Sequence, residues 1–265
     1  MIRLAVIPYL NALPLVYHLP AVCPEVDLVN AHPSEAVGLL DAARVDLALV
    51  PVVDCLERPD LQRIPGLGIC SQGPVTSVLL QCLGPIDTVR TIRPDPSSRT
   101  SNGLVRVLCR FHWQLSPEFL GAYDATDARV VIGDPALTSL PSKHSYDLSE
   151  HWTQMTGLPF VFAVWVCRRD CPDVAELTSL VHEAYDRSRQ TMFTLVAEGA
   201  KRLRLSSKVC EHYLTSCLHY RVGLSEERAL NQFRNYMNEL SQEGRGCLSP
   251  GVAVVTGGRP SVKAF

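Results

Sequence analysis

The chain has no excess of either charge: 25 Lys and Arg stand against 27 Asp and Glu, for a formal net charge of −2, with a pI near 6.4. A chain so balanced has no bulk field to attract nucleic acid or an anionic membrane, and neither is expected as a partner. It also lacks an apolar run long enough to cross a bilayer; the longest unbroken one is Phe160 to Cys167. No basic leader with an apolar core and cleavage site opens the chain. The run Ile2 to Ile7, interrupted by Arg3 and followed by Pro8, reads as a first strand, and a cytoplasmic location is expected. Ten cysteines are present, but no C-x-x-C pair: Cys23, Cys55, Cys70, Cys82 and Cys109 are scattered, and Cys167/Cys171 and Cys210/Cys217 are spaced otherwise. Free thiols are the expectation, with neither a disulfide nor a metal site. Internal repeats and low-complexity tracts are missing too.

What remains is an ordinary globular composition, 46% hydrophobic and 20% charged over 265 residues, enough for one large domain or two modest ones. Its order is α/β. Arg3 to Ile7 is a strand ended by Pro8, and Val26 to Asn30 alternates as a second. A helix opens at His32-Pro-Ser34-Glu35, with Ser34 as a candidate N-cap, and Asp46 to Pro51 is a buried strand. Strand, helix and strand in that order make a parallel unit. Thr76 to Cys82, Arg129 to Ile132 and Phe160 to Cys167 are further strands, and an apolar-periodic helix follows Ser97 to Ser101. From Asp173 to about Leu240 the pattern is helical; after Gln242 it is rich in glycine and proline and loose packing is expected. The α/β material falls into two halves. We therefore expect one lobe from residues 1–82 and 168–265, a second from 83–167, and a ligand cleft between them.

Five segments place polar residues at the ends of apolar strands. They are Tyr9-Leu-Asn11, Gly73-Pro-Val-Thr-Ser77-Val, Asp95-Pro-Ser-Ser-Arg-Thr-Ser101, Ile132-Gly-Asp-Pro-Ala136, and Tyr146-Asp-Leu with Trp152 and Thr156-Gly-Leu-Pro-Phe-Val-Phe-Ala-Val-Trp165. Each has a plain reading. Asn11 suits a turn, Ser97 or Ser98 a helix cap, Arg99 an ion pair, and Asp134 the turn before Pro135. The cap reading is compatible with a ligand site, because free N–H groups at a helix start also cradle anions. The aromatic side chains Trp152, Phe160, Phe162 and Trp165 suit core packing.

Taken in order, the five segments resemble the menaquinone-biosynthesis chorismate dehydratase family of the futalosine pathway. The resemblance runs from about Arg3 to Trp165. It implies a two-lobed periplasmic-binding-protein type II fold, a chorismate-sized substrate between the lobes, and no cofactor and no metal. It also implies the loss of water from chorismate to give 3-[(1-carboxyvinyl)oxy]benzoate. Catalytic positions carried over are Asn11 and Ser77; substrate-binding positions are Ser97, Ser98, Arg99, Thr100, Ser101, Asp134 and Thr156. The base that takes the C3 proton is either the substrate's own enolpyruvyl carboxylate or Asp134. Alternatives are the related dihydroxynaphthoate synthase, which would want a histidine in the cleft, and a non-catalytic binding protein of the same fold. The sequence departs from the family at Pro94 and Pro96, at Ala43-Arg44, and after Gln242.

Overall fold

The computed structural model describes residues 2–121, 124–139 and 142–246. The chain opens with β1 (Arg3–Val6), two single-turn helices α1 (Leu13–Val16) and α2 (Leu19–Val22), then β2 (Asp27–Asn30), α3 (Pro33–Asp41), β3 (Leu47–Pro51), α4 (Val52–Glu57) and β4 (Leu61–Ser71). A middle section follows: β5 (Val78–Cys82), β6 (Thr91–Arg93), α5 (Arg99–Phe111), β7 (Glu118–Phe119), β8 (Ala128–Ile132), α6 (Gly133–Thr138), β9 (Ser145–Asp147) and α7 (Leu148–Thr156). The chain closes with β10 (Phe160–Arg168), α8 (Val174–Gln190), α9 (Met192–Leu203), α10 (Ser207–His212), β11 (His219–Arg221) and α11 (Leu224–Gly246).

Two sheets result. The first has the order β11-β4-β10-β3-β1-β2 and the second β7-β6-β8-β5-β9. β1 pairs in parallel with β2 and β3, as the strand–helix–strand pattern requires, while β10 runs antiparallel between β3 and β4. This insertion explains why Phe160 to Cys167 is apolar throughout: every one of those residues is buried, on both faces of a central strand.

Sheet membership corrects the expected lobe boundaries. Val78–Cys82 belongs to the second sheet, paired with β8 and β9, and Phe160–Arg168 belongs to the first. The chain therefore crosses between Ser71 and Val78 and returns between Asp147 and Phe160, earlier each time than 82/83 and 167/168. Local signals fix several ends. Asp147 caps α7 by accepting from the Ser149 and Glu150 N–H groups, and Gly157 closes it at φ 70°. The cap of α3 is His32, not Ser34, because Pro33 takes the first helical position and the Glu35 carboxylate accepts the His32 N–H at 3.1 Å. β6 ends before Pro94, a short strand as that proline requires. α11 continues past Gln242 to Gly246; the remainder of the tail lies outside the described residues.

Candidate functional site

A cavity lies where the two sheets face one another. Its wall is drawn from the loop after β1 (Ile7, Tyr9, Asn11), the end of β3 (Pro51), the entry to β5 (Val75, Ser77, Val78), the start of α5 (Ser98, Thr100, Ser101), Gly133, Phe162 and Leu218. The space between these residues, including the part open to solvent, is ≈ 530 Å³. No Asp, Glu, His, Lys or Arg contributes to this wall among the described residues. Its polar groups are one amide, one phenol and four hydroxyls.

Three of those hydroxyls have the same arrangement. Ser77 Oγ accepts from the Tyr213 hydroxyl at 2.8 Å. Thr100 Oγ1 accepts from the Val53 N–H at 3.2 Å. Ser101 Oγ accepts from the Ser98 hydroxyl at 2.9 Å, while Ser98 Oγ caps α5 by accepting the Ser101 N–H at 3.1 Å. A hydroxyl carries one proton. In each of the three a protein donor occupies the oxygen, and no acceptor among the described residues takes the proton. Three O–H donors are thus left at the cavity wall beside the N-terminal end of a 13-residue helix, whose first N–H groups and dipole also favour negative charge. Opposite charge is supplied by geometry, without a cation.

Asn11 is the complementary feature. It sits in a single 3-10 turn, Leu10–Ala12, and its Oδ1 is buried without a hydrogen-bond partner. A buried polar atom left unpaired costs free energy, so one facing a cavity points to a ligand that completes it. The turn is held from the other half of the molecule: Asp134 Oδ1 accepts the Leu10 N–H at 2.8 Å and its Oδ2 pairs with Arg202 at 3.1 Å. Beside this contact Gly133 lies against the Tyr9 ring, where a Cβ would come within 2.9 Å of the ring at φ +62°. Burial pushes the Asp134 carboxyl up from its ordinary pKa, opposed by the Leu10 N–H and Arg202.

Ser77 is positioned by Asp147. One oxygen of that carboxylate accepts the Val75 and Thr76 N–H groups at 2.9 and 2.6 Å, and the other caps α7. Four N–H groups on one buried carboxylate hold the loop that turns Thr76 into the left-handed region, φ 64°, immediately before Ser77.

The structure therefore brings Asn11, Ser77, Ser98, Thr100 and Ser101 to one cavity, and does not bring Ser97, Arg99, Asp134 or Thr156 into its wall. Ser97 turns back on Asp95, to which both its N–H and its hydroxyl donate at 2.8 and 2.6 Å. Arg99 points to α4 and pairs with Asp54 and Glu57; Asp54 is only 5% exposed and needs the cation. Thr156 Oγ1 is spent at the end of α7, donating to the Trp152 carbonyl at 2.8 Å and accepting the Leu158 N–H at 3.1 Å. Tyr213 carries no mark in the sequence, and Asp147, though it falls in the Tyr146-Asp-Leu segment, is given no site role there. Tyr213 lies in an otherwise unremarked helical run, and only its π-helical turn, Tyr213–Cys217, marks it in the fold. Among the described residues no group of three or more His, Cys, Asp or Glu is arranged to hold a metal ion, and no helix is long and apolar enough to cross a membrane.

Comparison with known proteins agrees with this architecture. A family model described as "Menaquinone biosynthesis" matches residues 2–239. A chorismate dehydratase of Campylobacter jejuni is 28% identical over 237 residues, covering 86% of this chain and 93% of its own. One from Thermus thermophilus is 29% identical over 214 residues, covering 71% of this chain and 78% of its own. Among solved structures, the periplasmic aliphatic sulphonate binding protein SsuA of Escherichia coli superposes with a TM-score of 0.62 at 15% identity, covering 100% of this chain and 96% of its own. That likeness gives the fold, a two-lobed periplasmic-binding-protein architecture.

Proposed function

The chain belongs to the menaquinone biosynthesis family, and from that membership we propose that it is a chorismate dehydratase, a hydro-lyase that converts chorismate to 3-[(1-carboxyvinyl)oxy]benzoate and water. The observation that carries this reading is the uncharged cavity, lined by three hydroxyls with no acceptor of their own among the described residues and by the unpaired Asn11 Oδ1. Chorismate bears two carboxylates and a hydroxyl on a compact ring. A ring carboxylate on the Ser98–Ser101 end of α5 would meet the Thr100 and Ser101 hydroxyls and the helix N–H groups. Across the cavity Ser77 would donate to the enolpyruvyl carboxylate, and Asn11 Oδ1, an acceptor, would take the hydrogen bond of the C4 hydroxyl.

The chemistry needs little more. The C3–H is activated through the ring double bond by the ring carboxylate, so its removal gives a stabilised dienolate. The electron pair then expels the C4 hydroxyl, which leaves as water on taking a proton, and the ring becomes aromatic. Asp134 has both oxygens engaged outside the cavity wall, and among the described residues no carboxylate or imidazole lines it. This supports the substrate's own enolpyruvyl carboxylate as the base for C3. It also counts against dihydroxynaphthoate synthesis by a histidine base. Holding that carboxylate within reach of C3 is then the protein's main contribution. A dianionic substrate does not cross membranes unaided, so the reading includes a cytoplasmic location. Incubation of the purified protein with chorismate tests it: diene absorbance should fall as a product lighter by one water appears. Binding without turnover would instead indicate a receptor.

A further inference from the structure

Tyr213 lies outside the cavity wall, yet it decides what Ser77 can do there. Its phenol is 2% exposed, and Ser77 is 1% exposed. The two hydroxyls share one hydrogen bond of 2.8 Å and carry two protons between them. One proton fills that bond; the other must find an acceptor or remain buried without one. Among the described residues neither oxygen has a further acceptor, and of the two only Ser77 borders the cavity. With Tyr213 donating to Ser77, the Ser77 proton is left to donate into the cavity, to an acceptor on the ligand.

We propose that Tyr213 is a positioning residue for the dehydration, one that commits the Ser77 proton to an acceptor oxygen of the bound substrate and strengthens that donor through a two-link hydrogen-bond chain. The inference rests on the functional reading above. Chains of this kind polarise their last member, so the Ser77 O–H becomes a better donor than an isolated serine. Burial raises the phenol's pKa, with the bond to Ser77 opposing it in small part, so Tyr213 stays protonated at neutral pH. The acceptor it serves through Ser77 is a carboxylate oxygen or the departing C4 oxygen, and the kinetics separate the two. Loss of a contact to a carboxylate held throughout raises KM, whereas loss of one to the departing oxygen lowers kcat.

A double-mutant cycle over Ser77→Ala and Tyr213→Phe tests this, with kcat, KM and chorismate Kd measured for the four proteins. Tyr213→Phe removes only the hydroxyl and should lower kcat/KM about fivefold, the loss of one hydrogen bond between neutral groups. Since Tyr213 acts only through Ser77, the double variant should be no worse than Ser77→Ala alone. A Tyr213→Phe protein with wild-type kcat/KM, or losses that multiply in the double variant, would overturn the proposal. Should Tyr213→Phe not fold, 3-fluorotyrosine at that position keeps the ring and makes a stronger donor. Turnover should then rise at constant melting temperature, and unchanged turnover would count as refutation. The wild type judges the functional reading separately. If it binds chorismate without turnover, that reading fails and the cycle is decided on Kd; if it does not bind, both fail.

Discussion

At the scale of single residues, the free protein keeps unmet hydrogen-bonding capacity where a ligand is to sit. Asn11 Oδ1 has no partner, so Asn11→Ala removes no bond that the fold uses. Its melting temperature should match wild type while kcat/KM falls by at least about tenfold; an Asn11→Ala protein with full activity would remove Asn11 from the site. Ser77→Ala behaves differently, because it leaves the buried Tyr213 hydroxyl with nothing to bond. We expect a stability loss of about 1–3 kcal/mol, mostly recovered when Tyr213→Phe is added, and differential scanning calorimetry on the pair measures it. Asn11 and Ser77 were legible in the sequence because each is a small polar residue just past or before an apolar strand. Tyr213 was not, since a tyrosine 136 positions from its partner carries no local mark. The Ser97 to Ser101 run illustrates the limit from the other side. Sequence placed all five residues at the ligand, but helical geometry sends successive side chains around the axis, so Ser98, Thr100 and Ser101 line the cavity while Arg99 faces α4.

At the scale of elements, α5 links the site to the packing beneath it. Its N-terminus supplies the hydroxyls, and its C-cap His112 meets His151 of α7 through Nε2 and Nδ1 at 3.0 Å, beside Trp113 and Tyr146. Burial lowers both imidazoles, that of His151 to about 4 with a smaller contribution from His112. A depressed folded-state pKa means that the unfolded chain takes up the proton first. This contribution to stability is therefore complete above about 6.5, the ordinary value, and is lost as pH falls toward 4. Thermal melts across that range should fall more steeply for wild type than for His151→Gln; parallel curves would show that the pair carries no linkage. Of the elements themselves, those with a clean period were legible: β1, β3, β8, β10 and α5. β4 was missed because Pro65, Gly66 and Gly68 interrupt its alternation. The fold uses those breaks, with Gly66 at φ +82° and Gly68 so close to β10 that a Cβ would come within 2.7 Å of the Ala163 carbonyl oxygen. The apolar run of β10 announced a central strand but not which sheet would hold it. That depends on pairing with β3 and β4, 89 residues or more upstream, about which periodicity is silent.

At the scale of the whole molecule, Asp134 joins the two halves across the cavity. It reaches from α6 to the Leu10 N–H beside Asn11 and is anchored behind by Arg202. A contact of this kind shapes the cavity alike for substrate and for transition state, and its loss should raise KM and leave kcat nearly unchanged. Asp134→Ala removes the acceptor for the Leu10 N–H and the partner of Arg202, and should raise KM about tenfold, in line with hydrogen bonds to a charged group. Asp134→Asn keeps a carbonyl oxygen for the Leu10 N–H and gives up only the ion pair, which lies where Arg202 is one-third exposed and worth about 1 kcal/mol or less. It should therefore turn over nearly as wild type. The alternative assignment of Asp134 as the base for the C3 proton predicts the opposite, because an amide cannot accept that proton: kcat would fall by about 10²–10⁴-fold with KM little changed. Steady-state kinetics on these two variants separate a clamp from a base, and a collapse of kcat in Asp134→Asn would return the proton to Asp134.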